Sequence, residues 1–196
     1  MKDENDLKIK VAEAAMKCFN EKGVKFRMDD VAAMLQMSKK TLYKLYDSKE
    51  KLVLKAVDLG FGAVMESKQA IIDDPDIGMV EKIRQVIIAI PDRYQTVDWR
   101  RLYEFRESFP EAYARIQYYL QNNWEGTIEL VKKGIEAGLI KDMNITVFKC
   151  MLESAFQSFI GNTALMDAGV SYEDALESMI DIVMTGIVTE KGAKSE

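Results

Sequence analysis

Apolar residues recur at three- and four-residue spacing along most of the chain, and this periodicity restricts the possible fold more than any other feature. It is the pattern of amphipathic α-helices, in which residues three or four apart share one face. Only three prolines occur in 196 residues, and no strand-like alternation of polar and apolar residues stands out. The spacing predicts an all-α protein of about nine helices, at residues 5–22, 29–35, 39–45, 47–71, 77–90, 96–108, 111–137, 144–167 and 172–190.

Several catalytic and ligand-binding chemistries lack their usual residues. The chain has no histidine, which removes histidine-based catalysis and the commonest metal ligand. Cys18 and Cys150 are far apart and sit among apolar residues, so we expect buried free thiols and no zinc site. No glycine-rich phosphate loop occurs. We therefore expect no catalytic residues, no cofactor, no metal, and a protein that is not an enzyme.

Charge is distributed unevenly along the chain. Residues 1–55 carry 13 Lys and Arg against 9 Asp and Glu, a net charge of +4, whereas residues 56–196 carry −9. The basic N-terminal part predicts contact with an anionic partner. The N-terminus lacks the apolar core of a signal peptide, and no run approaches the ~18 apolar residues of a membrane span. We therefore expect a cytoplasmic protein with no membrane partner.

Two short predicted helices, 29–35 and 39–45, follow a longer first helix and are joined by a three-residue turn. This is the plan of a helix-turn-helix, whose second helix lies in the major groove of DNA. Leu42, with Leu45 or Tyr46, would hold that second helix to the core. The outward positions then carry lysine, threonine and tyrosine, which bond to base edges and phosphates: Lys39, Lys40, Thr41, Tyr43 and Lys44. Ser38 is the predicted N-cap of this helix, and Asp47 is the predicted N-cap of the next helix, at 47–71.

The same segment resembles a known sequence signature. The matching residues are Val31-Ala32, Met37-Ser38-Lys39-Lys40-Thr41-Leu42-Tyr43 and Tyr46-Asp47-Ser48-Lys49-Glu50-Lys51-Leu52, preceded by Ala14-Ala15-Met16-Lys17-Cys18-Phe19 and Gly23. This pattern, over about residues 9–52, is similar to that of TetR-family transcriptional regulators. The resemblance implies that Tyr43 and Lys49 contact phosphate and that Lys39 and Lys40 approach base edges. The full set of implied DNA-contacting residues is Arg27, Ser38, Lys39, Lys40, Thr41, Tyr43, Lys44 and Lys49.

Four positions depart from the family pattern. Met28 replaces the threonine that usually caps the second helix, so the cap is lost or has moved to Arg27. Gln36 replaces the turn glycine, which predicts a non-glycine residue in a conformation that glycine prefers. Lys40 replaces a frequent glycine, and Leu45 a histidine or tyrosine. The DNA sequence that is read therefore does not follow from the resemblance.

The resemblance also implies a division of the chain into two parts. Residues 1–50 would form the DNA-binding domain and residues 51–196 a ligand-binding and dimerisation domain, with the fourth helix, about 47–71, linking them. A single helix-turn-helix reads few base pairs, so we expect a homodimer on palindromic double-stranded DNA. The family pairs the last two helices of each subunit in a four-helix bundle. The predicted interface residues are Phe148, Met151, Leu152, Phe159, Leu176, Met179, Ile180, Val183 and Ile187.

Aromatic residues are concentrated between the basic segment and the last two helices. In the family, the corresponding helices enclose a pocket for a small-molecule effector, whose binding changes the separation of the two DNA-binding domains. The expected effector is largely apolar or aromatic, and its binding is expected to release a repressor from DNA. The predicted pocket residues are Trp99, Tyr103, Tyr119, Trp124 and Phe156.

Two other function classes stay open at this stage. The aromatic segment is also compatible with a helical enzyme that uses carboxylates or tyrosines. The lysine-rich stretch is compatible with a module that binds an acidic protein or a membrane surface. Preference among DNA sequences would separate the regulator from both alternatives.

Overall fold

The computed structural model describes residues 2–91, 94 and 97–194, with side chains from Glu4 onward. Helices dominate these ranges, and the predicted all-α class is confirmed. The α-helices are α1 (Lys2–Lys22), α2 (Met28–Met34), α3 (Lys39–Leu45), α4 (Lys49–Asp73), α5 (Met79–Ile88), α6 (Phe105–Ser108), α7 (Pro110–Gln121), α8 (Glu125–Glu136), α9 (Ile145–Phe159), α10 (Thr163–Asp167) and α11 (Tyr172–Ile187).

The N-terminal helices α1, α2 and α3 pack around one small core together with the first turns of α4. Val11 of α1, Val31 of α2, Leu42 of α3 and Leu52 of α4 meet there, and each is fully buried. Burying an aliphatic side chain of this size contributes roughly 1.5–3 kcal/mol, so these contacts fix the orientation of the short helices. We call α1–α3 the head.

The 25-residue helix α4 connects the head with the rest of the chain. At 1.5 Å per residue it is about 37 Å long, enough to reach across a small domain. Its first half packs against α1, and it also contacts α5, α7 and α8. The helices α5–α11, which we call the body, bury Ile83, Ile116, Val131 and Ile180 in their core.

Two of the long predicted helices are broken. The prediction of one helix at 111–137 was wrong, because Asn123 adopts φ 65 and separates α7 from α8. Asparagine enters this left-handed region more readily than most residues. The predicted helix 144–167 is likewise divided into α9 and α10 at Gly161, whose φ is 73. Part of the predicted helix 96–108 is a 3₁₀-helix at Trp99–Glu104, which precedes α6.

The helix caps follow the local chemistry closely. Ser38 caps α3, because its hydroxyl oxygen accepts a 3.1 Å hydrogen bond from the N–H of Thr41, as predicted. The reversal before it places Gln36 at φ 52, the conformation expected for the missing glycine. Of the two cysteines, Cys18 is buried, but the prediction of a buried Cys150 was wrong because its side chain is exposed.

Candidate nucleic-acid interface and apolar cavity

Helix α3 presents one apolar face to the head and one polar face to solvent. Leu42 is fully buried, and the hydroxyl of the buried Tyr46 donates a 3.1 Å hydrogen bond to the Lys8 carbonyl. Burial raises the pKa of Tyr46 to about 12, so this donor stays protonated at neutral pH. Leu45 is only half-buried. Five side chains lie exposed on the opposite face, as the sequence predicted: Lys39, Lys40, Thr41, Tyr43 and Lys44.

Polar contacts organise the start of this exposed face. The hydroxyls of Ser38 and Thr41 are 2.9 Å apart, which fixes both side chains at the first turn of α3. Lys39 Nζ lies 2.6 Å from Asp29 Oδ2 on the neighbouring helix α2, and both side chains are largely exposed. Lys40 and Lys44 have no ion pair with the described residues, so their ammonium groups are open to an external anion.

Arg27 precedes α2 and occupies its N-cap position. Its backbone N–H donates a 2.7 Å hydrogen bond to Asp30 Oδ2, and Asp30 Oδ1 is 2.6 Å from Lys22 Nζ. The bond from Lys22, together with the bond from the Arg27 backbone, lowers the pKa of Asp30. The Arg27 side chain is exposed next to this fixed turn. The next residue, Met28, is buried. Packing in the core of the head therefore accounts for methionine at the position where the family usually has threonine.

Lys49 points back into the protein. Its Nζ donates a 2.6 Å hydrogen bond to the Val24 carbonyl and lies 4.2 Å from the ring centre of Phe26 and 5.0 Å from that of Phe109. Burial lowers the pKa of this lysine. The predicted phosphate contact of Lys49 stays a prediction, and the ammonium group would have to leave these neighbours to make it. The predicted cap of α4 was wrong, because Ser48 and not Asp47 accepts the 3.2 Å hydrogen bond from the backbone N–H of Lys51. Asp47 Oδ2 instead accepts a 2.6 Å hydrogen bond from the side-chain Nζ of Lys51.

A cavity of about 80 Å³, open to solvent at its mouth, lies in the body. Its walls are mainly apolar and come from α4, α5, α7, α9, α11 and the segments at residues 99 and 122–124. Four of the five predicted pocket residues line it, namely Trp99, Tyr119, Trp124 and Phe156. The indole of Trp124 stacks on Phe156, with ring centres 5.8 Å apart, and Tyr119 stacks on Phe61 at 4.8 Å.

Tyr103 lies outside the cavity. Its side chain is 46% exposed and covers Gly161, where an added Cβ would come within 2.7 Å of the tyrosine Cβ. Gly161 also donates a 2.8 Å hydrogen bond from its N–H to the Arg100 carbonyl. The side chain of Tyr103 therefore packs against the backbone at the break between α9 and α10.

Sequence reasoning missed a lysine in the cavity wall. Lys68 of α4 lines the cavity, and its Nζ lies 5.4 Å from the ring centre of Trp124. Burial lowers its pKa to about 8. In the sequence, Lys68 is one of several polar residues near the end of a long helix. Only its position opposite Trp124 in the structure shows that it lines the cavity.

One segment touches both the cavity and the head. Trp99 lines the cavity, and the N–H of the preceding Asp98 donates a 2.7 Å hydrogen bond to Asn20 Oδ1 of α1. Arg101 Nη1 donates a 3.0 Å bond to the Asn20 carbonyl. Glu104 Oε2 accepts a 3.2 Å bond from the Val24 N–H. A ligand that displaced this segment would therefore disturb its hydrogen bonds to the end of α1.

An apolar strip runs along the outer faces of α9 and α11. Val147, Met151 and Ile182 are 54%, 57% and 75% exposed. The predicted interface residues differ in exposure. Phe148, Leu152, Leu176 and Ile180 are buried in the body core, Phe159, Met179, Val183 and Ile187 are half-buried, and Met151 is exposed. Val147 and Ile182 are exposed on the same strip but are not among the predicted interface residues, and the predicted interface stays a prediction.

The part of the chain that the structure describes contains no group of three or more acidic or cysteine side chains placed to hold a metal ion. Among the same residues, no helix combines the length and the apolar composition needed to cross a membrane.

Comparisons with known proteins agree on one family for the head. Residues 11–56 match the family described as bacterial regulatory proteins, tetR family. Over 173 residues the chain is 24% identical to the HTH-type transcriptional regulator YvaF of Bacillus subtilis (strain 168), covering 88% of this chain and 91% of YvaF.

Solved structures extend the likeness to the whole fold. The transcriptional regulator FadR from Bacillus subtilis, in complex with stearoyl-CoA, superposes with a TM-score of 0.66 at 16% identity, covering 91% of this chain and 98% of that one. A regulator of the TetR/AcrR family from Thermobifida fusca superposes with a TM-score of 0.63 at 20% identity, covering 92% and 98%.

Proposed function

We propose that the chain is a TetR-family transcriptional regulator, as the match of residues 11–56 and the likeness to YvaF support, and that it acts as a homodimeric repressor released from a palindromic operator by a small molecule. The observation that carries the proposal is the outward face of α3, where Lys40, Tyr43 and Lys44 project into solvent while Leu42 fixes the opposite side. Lysine and tyrosine are suited to phosphate oxygens and base edges, and α3 holds the position of a recognition helix.

Dimerisation is supported by the apolar strip on α9 and α11. An exposed strip with this much aliphatic surface is unfavourable in water, and it would be covered by the same strip of a second subunit. Two heads would then face two half-sites of opposite orientation, which is why the operator is expected to be palindromic. The side chains of this interface would include Val147, Met151, Met179 and Ile182.

Release by an effector is supported by the cavity and by its connection to the head. FadR from Bacillus subtilis was solved in complex with stearoyl-CoA, an example of a regulator with this fold that holds a ligand with a long apolar chain. In this chain, a ligand against Trp99 would act through Asp98 and Arg101 on Asn20 of α1. The ligand weakens DNA binding if it prefers the arrangement in which the two heads do not match the operator.

The proposal is tested by selecting fragments of genomic DNA that the purified protein retains at moderate salt. We expect enrichment of one palindromic sequence, with affinity that falls steeply as salt increases. Tyr43→Phe and Lys40→Ala should each weaken binding about 3- to 10-fold without changing the melting temperature. Lys132→Ala, at an exposed lysine of α8, is the matched control.

Two results would contradict the proposal: retention without sequence preference, or variants that bind the selected DNA as tightly as the original chain. Equal retention by anionic vesicles would favour a membrane-surface module instead. The helical-enzyme alternative has no support in the family match.

A further inference from the structure

Lys68 is a cation placed among apolar groups, with no counterion in the part of the chain that the structure describes. Its side chain is half-buried in the cavity wall, and it forms no hydrogen bond or ion pair with the described residues. Its ammonium group lies over the ring of Trp124, with Nζ 5.4 Å from the ring centre. A partly desolvated ammonium group without an anion is unfavourable, so the site favours any ligand that supplies one.

The neighbouring titratable groups do not supply that anion. Among the described residues, Tyr119 and Tyr172 are the other titratable groups in the cavity wall, and burial raises the pKa of both, so they are neutral at physiological pH. The pKa of Lys68 is lowered by burial, with no contribution from a carboxylate. At pH 7 the ammonium form still predominates, because the pKa is about 8.

The remaining wall divides the cavity into a polar and an apolar end. Asn122 and Asn123 also line it, and they immediately precede Trp124, whose ring lies over the lysine. Phe61 lies two helical turns before Lys68 on the same helix, a distance of about 10 Å along the axis. Trp99 packs edge-on against Phe61 at that far end. A ligand that satisfies both ends has one anionic group and an apolar body about 10 Å long.

We propose that the effector is a monocarboxylate with an apolar aliphatic or aromatic body, whose carboxylate pairs with Lys68 while its body lies against Phe61 and Trp99. The inference rests on the proposed role of the cavity as the effector site. It adds the chemical class of the ligand and names Lys68 as the residue that selects it.

The chain offers a direct readout of binding. Its two tryptophans, Trp99 and Trp124, both line the cavity, so intrinsic fluorescence reports on this site. Decanoate is compared with decanol for an aliphatic body, and phenylbutyrate with phenylbutanol for an aromatic one. Each pair differs in charge and shares its apolar body. We expect at least one acid to bind about ten-fold or more tightly than its alcohol at pH 7.

Lys68→Met should abolish the preference for the acid while leaving alcohol binding unchanged, and Lys68→Arg should retain part of it. Lys132→Met, at an exposed lysine of α8, should behave as the original chain. In the original chain, the affinity for the acid should fall as the pH rises above 8, since the lysine loses its proton, whereas the affinity for the alcohol should stay constant. This last measurement keeps the test decisive if a substitution at Lys68 does not fold.

Equal affinity for acid and alcohol, binding of neither, or an acid preference that survives in Lys68→Met would overturn the inference. These measurements contain no DNA, so their failure is distinct from failure of the proposed function. A protein that prefers the acids but keeps its operator when they bind would contradict effector release alone.

Discussion

Lys49 Nζ donates a 2.6 Å hydrogen bond to the carbonyl oxygen of Val24, which ties the first turn of α4 to the short 3₁₀-helix that follows α1. The same ammonium group lies over Phe26 of the head and Phe109 of the body. A lysine in this setting positions the head relative to the body, whereas one that contacts phosphate would be free in solvent.

Substitution of Lys49 distinguishes these roles. Lys49→Met removes the hydrogen bond and both ring contacts, so we expect the free energy of unfolding to fall by about 1–2 kcal/mol. If Lys49 keeps these contacts in the DNA complex, the salt dependence of operator binding should keep its slope, because the substitution then removes no phosphate contact. Lys44→Ala, at an exposed lysine of α3, should leave stability unchanged and reduce that slope by about one. A reduced slope in Lys49→Met would instead support the phosphate contact.

At Gln36, the residue with left-handed backbone conformation before α3, we expect a substitution to increase stability. Gln36 adopts φ 52, which costs a residue with a Cβ about 1 kcal/mol relative to glycine. Gln36→Gly should therefore raise the free energy of unfolding by up to about 1 kcal/mol, measured by urea denaturation. Gln36→Ala is the control and should have little effect, since alanine shares the strain. A glycine variant less stable than the alanine variant would be inconsistent with backbone strain.

The apolar strip on α9 and α11 predicts how the subunits separate. Ile182 is 75% exposed, so a charge there does not disturb the core of one subunit. Ile182→Glu should convert the dimer to a monomer in sedimentation experiments and weaken operator binding, with helical content unchanged. Tyr118→Glu, at another exposed apolar residue on α7, should remain dimeric. A dimeric Ile182→Glu protein would place the interface elsewhere.

Lys68 should make stability depend on pH. Its pKa is about 8 in the folded chain and about 10.5 in an unfolded one. The folded state thus binds fewer protons between these values, so the unfavourable effect is complete below pH 8 and disappears as the pH rises toward 10.5. Lys68→Met should raise the free energy of unfolding by about 1–3 kcal/mol at pH 7 and by much less near pH 10.

The control for this measurement is Lys132→Met, whose stability should follow that of the original chain at every pH. A constant difference between Lys68→Met and the original chain from pH 7 to pH 10 would show that packing, and not charge, is responsible.

The sequence predicted the head in more detail than the body. In the head, short helices, polar caps and a buried Leu42 follow from residue types at fixed local spacing, so Ser38 and the exposed face of α3 were predictable. The cap of α4 was assigned one residue early because Asp47 and Ser48 are both good caps, and only the backbone geometry distinguishes them.

In the body, the missed features depend on contacts between distant residues. The break at Asn123 had a weak signal in the Asn122-Asn123 pair, which suits a left-handed residue but is also tolerated within a helix. Tyr103 and Trp99 are both aromatic residues of the same short segment, yet only Trp99 lines the cavity. Tyr103 instead packs against Gly161, which has no side chain to exclude it. Lys68 can be recognised as a cavity residue only from the packing of α4 against Trp124, which is distant in sequence.

The ion pair of Lys39 with Asp29 has a consequence for the thermodynamics of DNA recognition. When Lys39 moves from the carboxylate to a phosphate, one anion replaces another and the local charge brought to the DNA is close to zero. Fewer condensed cations then leave the duplex than the number of touching lysines implies. The salt dependence of DNA binding measures net charge neutralisation, so it will undercount the lysine side chains that lie against the DNA. Asp29→Asn removes the competing carboxylate and should increase the number of released cations by about one.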